Sequence, residues 1–176
     1  MKKIILSIII LFNFNINAFT HVEHYADFNY LEYELFRNNK LIGYHQYNFI
    51  RENEDLTVKS EVRFKITKLG VDIYNYFAES EETYKNNEFL KFSSNTNQNN
   101  KEKYVKITVD PLDKDLIIDG SSFNGKTSKE SIVGTWWNHE IVKRNAQISA
   151  ISGRVIEQTV TFVGKEEVMI GEKVFN

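Results

Sequence analysis

Leu56-Thr57-Val58-Lys59-Ser60-Glu61-Val62-Arg63-Phe64-Lys65-Ile66-Thr67-Lys68 is the most regular run in the chain. Val58, Val62, Phe64 and Ile66 share one parity, while Thr57, Lys59, Glu61, Arg63, Lys65 and Thr67 share the other. Successive side chains of a strand point to opposite faces, so this period of two reads as an antiparallel strand with one face buried and one in water. Gly70 then turns the chain into residues 71–84, where Tyr74, Tyr76 and Ala78 alternate with Ile73, Asn75 and Phe77. Aromatics on both faces of that segment point to a second layer or a ligand cavity.

The same pattern extends outward in both directions. Upstream, residues 30–37 and 41–51 flank Asn38-Asn39-Lys40, a connector of the hairpin kind. Downstream, residues 88–95 continue the meander, and the Asn/Gln-rich 95–100 reads as a loop. In residues 104–110, Val105, Ile107 and Val109 alternate with Lys106 and Thr108; residues 115–119 form a short apolar strand ended by Gly120. The Ser/Gly/Lys-rich 121–129 reads as an exposed loop, and 131–146 has room for one helical turn or two. Residues 154–163 and 167–170 return to strand, with turns at Gly164-Lys165 and Gly171-Glu172. With one Pro, eight Gly and 14% aromatic residues, the composition agrees with strands. The expected fold is all-β: a strongly curved antiparallel meander of about eight to ten strands, a half-barrel or open barrel with little helix. It forms one domain over residues 19–176.

The first eighteen residues read as a signal peptide. Lys2 and Lys3 lead the apolar run from Ile4 to Phe12, which closes at Ala18. That run is shorter than the about 20 residues a bilayer span needs, and Asn13, Asn15 and Asn17 favour cleavage over anchoring. Cleavage between Ala18 and Phe19 leaves a periplasmic or secreted protein without a transmembrane anchor. The chain has 22 basic and 24 acidic side chains, and losing Lys2 and Lys3 leaves 20 against 24. This acidic balance offers no electrostatic attraction to nucleic acid. Cys is absent, which excludes disulfides, a thiolate nucleophile, sulfur-ligated metal and the Cys-linked lipid of bacterial lipoproteins. The Lys/Asn/Ile-rich composition suggests an AT-biased bacterial source.

Few motifs carry chemistry. Gly120-Ser121-Ser122-Phe123-Asn124-Gly125-Lys126-Thr127 fits the phosphate-cradling pattern G-x-x-x-x-G-K-[ST]. That mechanism needs a helix opening at Lys126 within a parallel sheet, and here Gly134 interrupts the next segment among antiparallel strands. Gly120, Gly125, Lys126 and Thr127 are therefore read as a chance match in a Gly-rich hairpin. On a strand the adjacent Trp136 and Trp137 face opposite ways, one able to enter the core and the other to meet a ligand, a partner or a cavity rim; the simpler reading is that both anchor a connection over the sheet end. His21 and His24 flank the new N-terminus, His45 lies in a strand near Tyr47 and Phe49, and His139 follows the tryptophans. His21 and His24 could form a weak metal site but sit where chains fray, and His45 and His139 read more simply as hydrogen-bonded core or rim residues than as bases. Glu79, Glu81 and Glu82 read as a solvated strand end. The sequence contains neither H-E-x-x-H nor G-x-S-x-G, and no triad order is apparent.

Several runs carry a resemblance. Tyr33-Glu34-Leu35-Phe36-Arg37-Asn38-Asn39-Lys40-Leu41-Ile42-Gly43-Tyr44-His45 resembles the opening hairpin of an exported bacterial family known as domain of unknown function 6134. Tyr74-Asn75-Tyr76, Ser94-Asn95-Thr96-Asn97, Trp136-Trp137-Asn138, Gly153 and Ile170-Gly171 are similar in order and spacing. The family looks like a distant relative of family 3108, whose architecture resembles the curved half-barrels of lipoprotein carriers. The resemblance implies no catalytic residues. It also implies further strands beyond Val174-Phe175-Asn176, so either the gene is shortened or the sequence is a fragment, and if those strands close the sheet this version has an unprotected edge.

A bent sheet with a concave aromatic face implies a binding module. The expected ligand is apolar or amphipathic, lipid-like, held without chemistry and without cofactor or metal. The candidate lining is Tyr44, His45, Tyr74, Tyr76, Trp136 and Trp137. A structural envelope protein with a filled core is the second expectation, and an envelope hydrolase using His45 or His139 with a carboxylate is the third. Nothing in the sequence specifies an oligomeric state.

Overall fold

The computed structural model describes residues 25–175, so the expected signal peptide, His21 and His24 lie outside the described residues. Eight strands form one antiparallel meander: β1 (Tyr30–Arg37), β2 (Lys40–Glu52), β3 (Asp55–Lys68), β4 (Val71–Lys85), β5 (Glu88–Gln98), β6 (Lys101–Val109), β7 (Leu116–Gly120) and β8 (Phe123–Thr127). Each strand pairs with the next in sequence, and β1 and β8 do not pair with each other, so the barrel stays open. Among the described residues, no helix is long and apolar enough to cross a membrane.

The tight connections explain why the chain meanders. Asn38-Asn39, Asn86-Asn87 and Asn99-Asn100 take positive φ at both positions, from 49° to 65°. Two left-handed residues make the turn whose twist matches that of the flanking strands, and Asn tolerates that conformation best after Gly. The Asn/Gln-rich 95–100 is thus mostly strand: pairing with β6 carries β5 to Gln98, and only Asn99-Asn100 turns. Residues 121–129 likewise depart from the loop expectation. Phe123–Thr127 forms β8, because a two-residue turn returns the chain along β7 from Gly120 opposite Phe123 to Leu116 opposite Thr127.

After the meander the chain crosses the concave face. β9 (Ile132–Val133), a 3-10 turn (His139–Lys143), β10 (Ala146–Ile148) and β11 (Val155–Glu157) form a small cover, with β10 parallel to β9 and antiparallel to β11. The long strand expected over 154–163 shrinks to three residues, matching the length of its partner β10. A hairpin of β12 (Val168–Ile170) and β13 (Lys173–Phe175) follows.

Cross-strand register sorts the concave face into rows. One row runs Phe49, Val58, Glu82, Phe92, Ile107 and Ile118 across β2 to β7. The next runs Tyr47, Ser60, Ser80, Ser94, Val105 and Gly120, and beyond it lie His45, Val62, Ala78 and Thr96. The first row is packed under the cover, where Val133, Trp137 and Ile148 close on Phe92, Ile107, Ile118 and Phe49. Burying each such side chain stabilises by about 1.5–3 kcal/mol. Gly120 and Gly153 let the cover approach: a Cβ on Gly120 would lie 2.8 Å from the Ser152 carbonyl oxygen and 2.9 Å from Gly153 Cα.

Candidate functional site

The rows beyond the packed one are built from small side chains, and there the cover stands off the sheet. Between them is a half-open cavity of about 500 Å³, within the about 300–1,000 Å³ usual for small-molecule sites. Its floor is His45, Ser60, Ala78, Ser80, Ser94 and Thr96. At its far end Phe64 stacks on Tyr76, with centroids 4.9 Å apart, and on Tyr74 at 5.8 Å. The cover supplies Gly134, Thr135, Trp136, Gln147, Ala150 and Ile151.

Trp136 owes its place to a clamp. Glu82 is 2% exposed and accepts three hydrogen bonds: from the Tyr84 hydroxyl, from Thr135 Oγ1 at 3.0 Å and from Trp137 Nε1 at 3.0 Å. The Tyr47 hydroxyl donates to the Thr135 carbonyl at 2.7 Å. Both neighbours of Trp136 are therefore fixed, Trp137 in the core at 3% exposure and Thr135 against the sheet. Trp136 between them has φ of 65° and is 75% exposed at the cavity rim. A bulky residue in the left-handed region costs about 1–3 kcal/mol and persists only where the surroundings over-determine it.

Burial holds the Glu82 carboxyl above its usual pKa, against the pull of its three donors. This corrects the reading of Glu81-Glu82 as a solvated strand end. Glu81 alone is of that kind, within 3.7 Å of Lys59 and 3.8 Å of Lys91 at the surface. Glu82 is covered because two of its three donors, Thr135 and Trp137, come from a segment more than fifty positions away in sequence.

His45 is partly buried, and desolvation lowers its pKa to about 4, so it is neutral at physiological pH. Its Nε2 lies 2.9 Å from Ser60 Oγ and its Nδ1 3.5 Å from the Tyr47 hydroxyl. Since that hydroxyl donates to Thr135, its oxygen is left to accept from Nδ1–H, and Nε2 then accepts from Ser60. Ser94 donates to the Ala150 carbonyl, tying floor to cover. Thr96 Oγ1 is buried without a hydrogen bond; the Tyr76 phenol is near enough to feel it but forms no well-aimed bond with it.

Four of the six residues expected at the site, His45, Tyr74, Tyr76 and Trp136, line this cavity together. Two do not. Tyr44 points to the opposite face, as its odd-even position relative to His45 requires, and donates to Glu61 at 2.7 Å. Trp137 packs in the core against Phe49, Tyr84 and Tyr25. His139 opens the 3-10 turn away from the cavity. Ser60, Ser80, Ser94 and Thr96 escaped the sequence reading, although their inward parity in β3, β4 and β5 was a usable signal. Gly120, Gly125, Lys126 and Thr127 lie in the β7–β8 hairpin with no helix after them, and the Lys126 ammonium is held by Asp110 and by Asp113 at 3.1 Å.

A second hollow, of about 640 Å³, opens at the other end of the sheet among Glu88, Lys114, Lys129, Glu130 and Arg144. Of its rim charges, Arg144 lies 2.8 Å from Glu130 and 4.0 Å from Glu140, while Glu88, Lys114 and Lys129 make no ion pair among the described residues. Among the described residues no group of three or more His, Cys, Asp or Glu is placed to hold a metal ion.

A family model described as Domain of unknown function (DUF6134) matches residues 33–176. The chain belongs to this family. No curated protein and no solved structure matches it. In this DUF6134 member the matched span includes the whole floor, the aromatic end and the cover of the cavity.

Proposed function

We propose that this protein is an exported binding module that holds an apolar or amphipathic, lipid-like ligand between the meander and its cover, without chemistry. One observation carries the reading. The row through Phe92, Ile107 and Ile118 is packed to 2% exposure or less, while the adjoining rows carry serine, alanine and threonine beneath an unfilled hollow of about 500 Å³. A sheet that only needed a core would gain stability by filling that space. The strained, exposed Trp136 at the rim supports the same reading, because such strain collects at ligand clamps.

A hydrolase is the weaker alternative. The Ser60 to His45 contact has nucleophile-and-base geometry, but the third group is the Tyr47 hydroxyl, and a histidine with a pKa of about 4 is a feeble base at neutral pH.

Native mass spectrometry of protein isolated from a bacterial envelope fraction tests the reading. A lipid-like adduct is expected on the wild-type chain and absent from Ala78→Leu, which plugs the floor. Adduct-free spectra from both, even after incubation with an envelope lipid extract, would sink it. N-terminal sequencing of the same material should begin near Phe19, and a chain still carrying residues 1–18 would remove the export half of the proposal.

A further inference from the structure

Given the cavity reading, on which this rests, the polar groups of the cavity restrict what enters. No Lys or Arg lines it. Its one acid, Glu79, lies on the outward parity of β4, is exposed, and accepts from Asn95 Nδ2 at 3.5 Å. Every other polar side chain at the wall is a hydroxyl, a phenol, an amide, the His45 imidazole or the Trp136 indole, all uncharged. Several of these are already occupied: Ser60 with His45, Ser94 with Ala150, Thr135 with Glu82, and Gln147 with Gln158 at 3.1 Å. Two floor hydroxyls are not. Ser80 is half-buried and makes no side-chain hydrogen bond among the described residues, and Thr96 Oγ1, beside the Tyr76 phenol, is buried at 1% exposure without a well-formed bond.

A buried hydroxyl without a partner costs about 1–3 kcal/mol, and a ligand atom that satisfies it recovers that cost. A buried carboxylate or ammonium on the ligand would instead lose its hydration with no opposite charge to compensate. We infer that the cavity takes an uncharged amphiphile, an aliphatic or aromatic body ending in a neutral hydroxyl or carbonyl, with that end hydrogen-bonded to Thr96 and Ser80 on the floor. The body then lies along Phe64, Tyr74 and Tyr76 and leaves past Trp136.

The test uses the purified chain lacking residues 1–18, with the uncharged probe N-phenyl-1-naphthylamine in the cavity and three competitors of equal chain length: oleyl alcohol, oleate and oleylamine. Each is kept below its aggregation threshold at pH 8. Oleyl alcohol should displace the probe at least tenfold more effectively than either charged competitor. Thr96→Val, which removes the hydroxyl at constant shape, should weaken oleyl alcohol several-fold more than it weakens the probe. Ser80→Ala should act in the same direction and serves if Thr96→Val melts early. Probe binding with oleate or oleylamine equal to the alcohol would overturn this inference and leave the cavity reading standing. So would unchanged alcohol binding in both variants. A probe that does not bind, with no competitor binding directly, would overturn both.

Discussion

The two halves of the concave face are made by the same strands and differ only in side-chain volume. Toward one end, Phe49, Val58, Phe92, Ile107 and Ile118 meet Val133, Trp137 and Ile148, and all are buried to 3% exposure or less. A few ångströms along the same strands, Ser60, Ala78, Ser80, Ser94 and Thr96 face the same cover across a hollow. The comparison shows how a meander separates stability from binding. Backbone pairing supports both halves equally, so packing can be withdrawn from one without unfolding the sheet, provided the other anchors the cover.

That anchor is Glu82, the single acid in the packed row, and it gives the largest expected effect. Glu82→Ala strands the Thr135 and Trp137 donors in the core and releases the clamp on Trp136. A loss of about 3–5 kcal/mol in urea-unfolding free energy is expected. Glu82→Gln keeps a carbonyl oxygen for Thr135 and Trp137 and turns its amide to the Tyr84 oxygen, so it should stay within about 1 kcal/mol of wild type at neutral pH. An alanine variant as stable as the glutamine one would show that the packed half does not hold the cover.

Next in size is Ile107→Ala, which opens a void between Phe92 and Ile118 and should cost about 2–5 kcal/mol. Ser80→Ala, on the other half of the sheet, should change stability by less than about 0.5 kcal/mol. Equal losses from the two would erase the distinction between filled and hollow halves.

The sequence made the strands legible because alternation is local. Val58, Val62, Phe64 and Ile66 against Lys59, Glu61, Arg63 and Lys65 needed no tertiary knowledge; the settings of Trp136 and Trp137 did, because the pair lies in a bend with Trp136 left-handed rather than on a strand. The hollow was not legible. Ser60, Ser80 and Ser94 look like ordinary surface residues until the register of β3, β4 and β5 puts them in one row. Glu82 looked solvated for a similar reason, since two of its three donors arrive from the cover. The short strand β8 hid in a Ser/Gly/Lys-rich stretch, because an edge strand needs few β-forming side chains when a tight turn delivers it to its partner.

His45 lies on the hollow side and should report on it through pH. Its folded pKa of about 4 is below the unfolded value near 6.5, so folding requires a neutral ring. The contribution is complete above pH 6.5 and is lost as the pH falls from 6.5 toward 4. The full shift corresponds to about 3 kcal/mol, and solvent reaching the partly exposed ring reduces the expected loss to about 1–2 kcal/mol. Glu82 works oppositely: its raised pKa means the folded state gains from that group as the pH falls through the elevated value. Comparing wild type with His45→Gln at pH 7 and pH 4.5 cancels the Glu82 contribution. Identical pH dependence in the two proteins would place His45 in water rather than on the cavity floor.

The last effect is the sharpest test of the comparison, because its sign is unusual. In a packed core, adding three carbons to a side chain costs about 1–3 kcal/mol in strain. Ala78→Leu adds them between Val62 and Thr96, where the hollow receives them, so a gain of about 0.5–2 kcal/mol is expected. The same variant should lose the probe from the cavity. Stability and binding would then move in opposite directions from one substitution, which is what a space kept empty for a ligand requires. Destabilisation with binding intact would mean that the floor at Ala78 is already in contact with the cover, and that the ligand, if one enters, sits nearer Tyr74 and Tyr76.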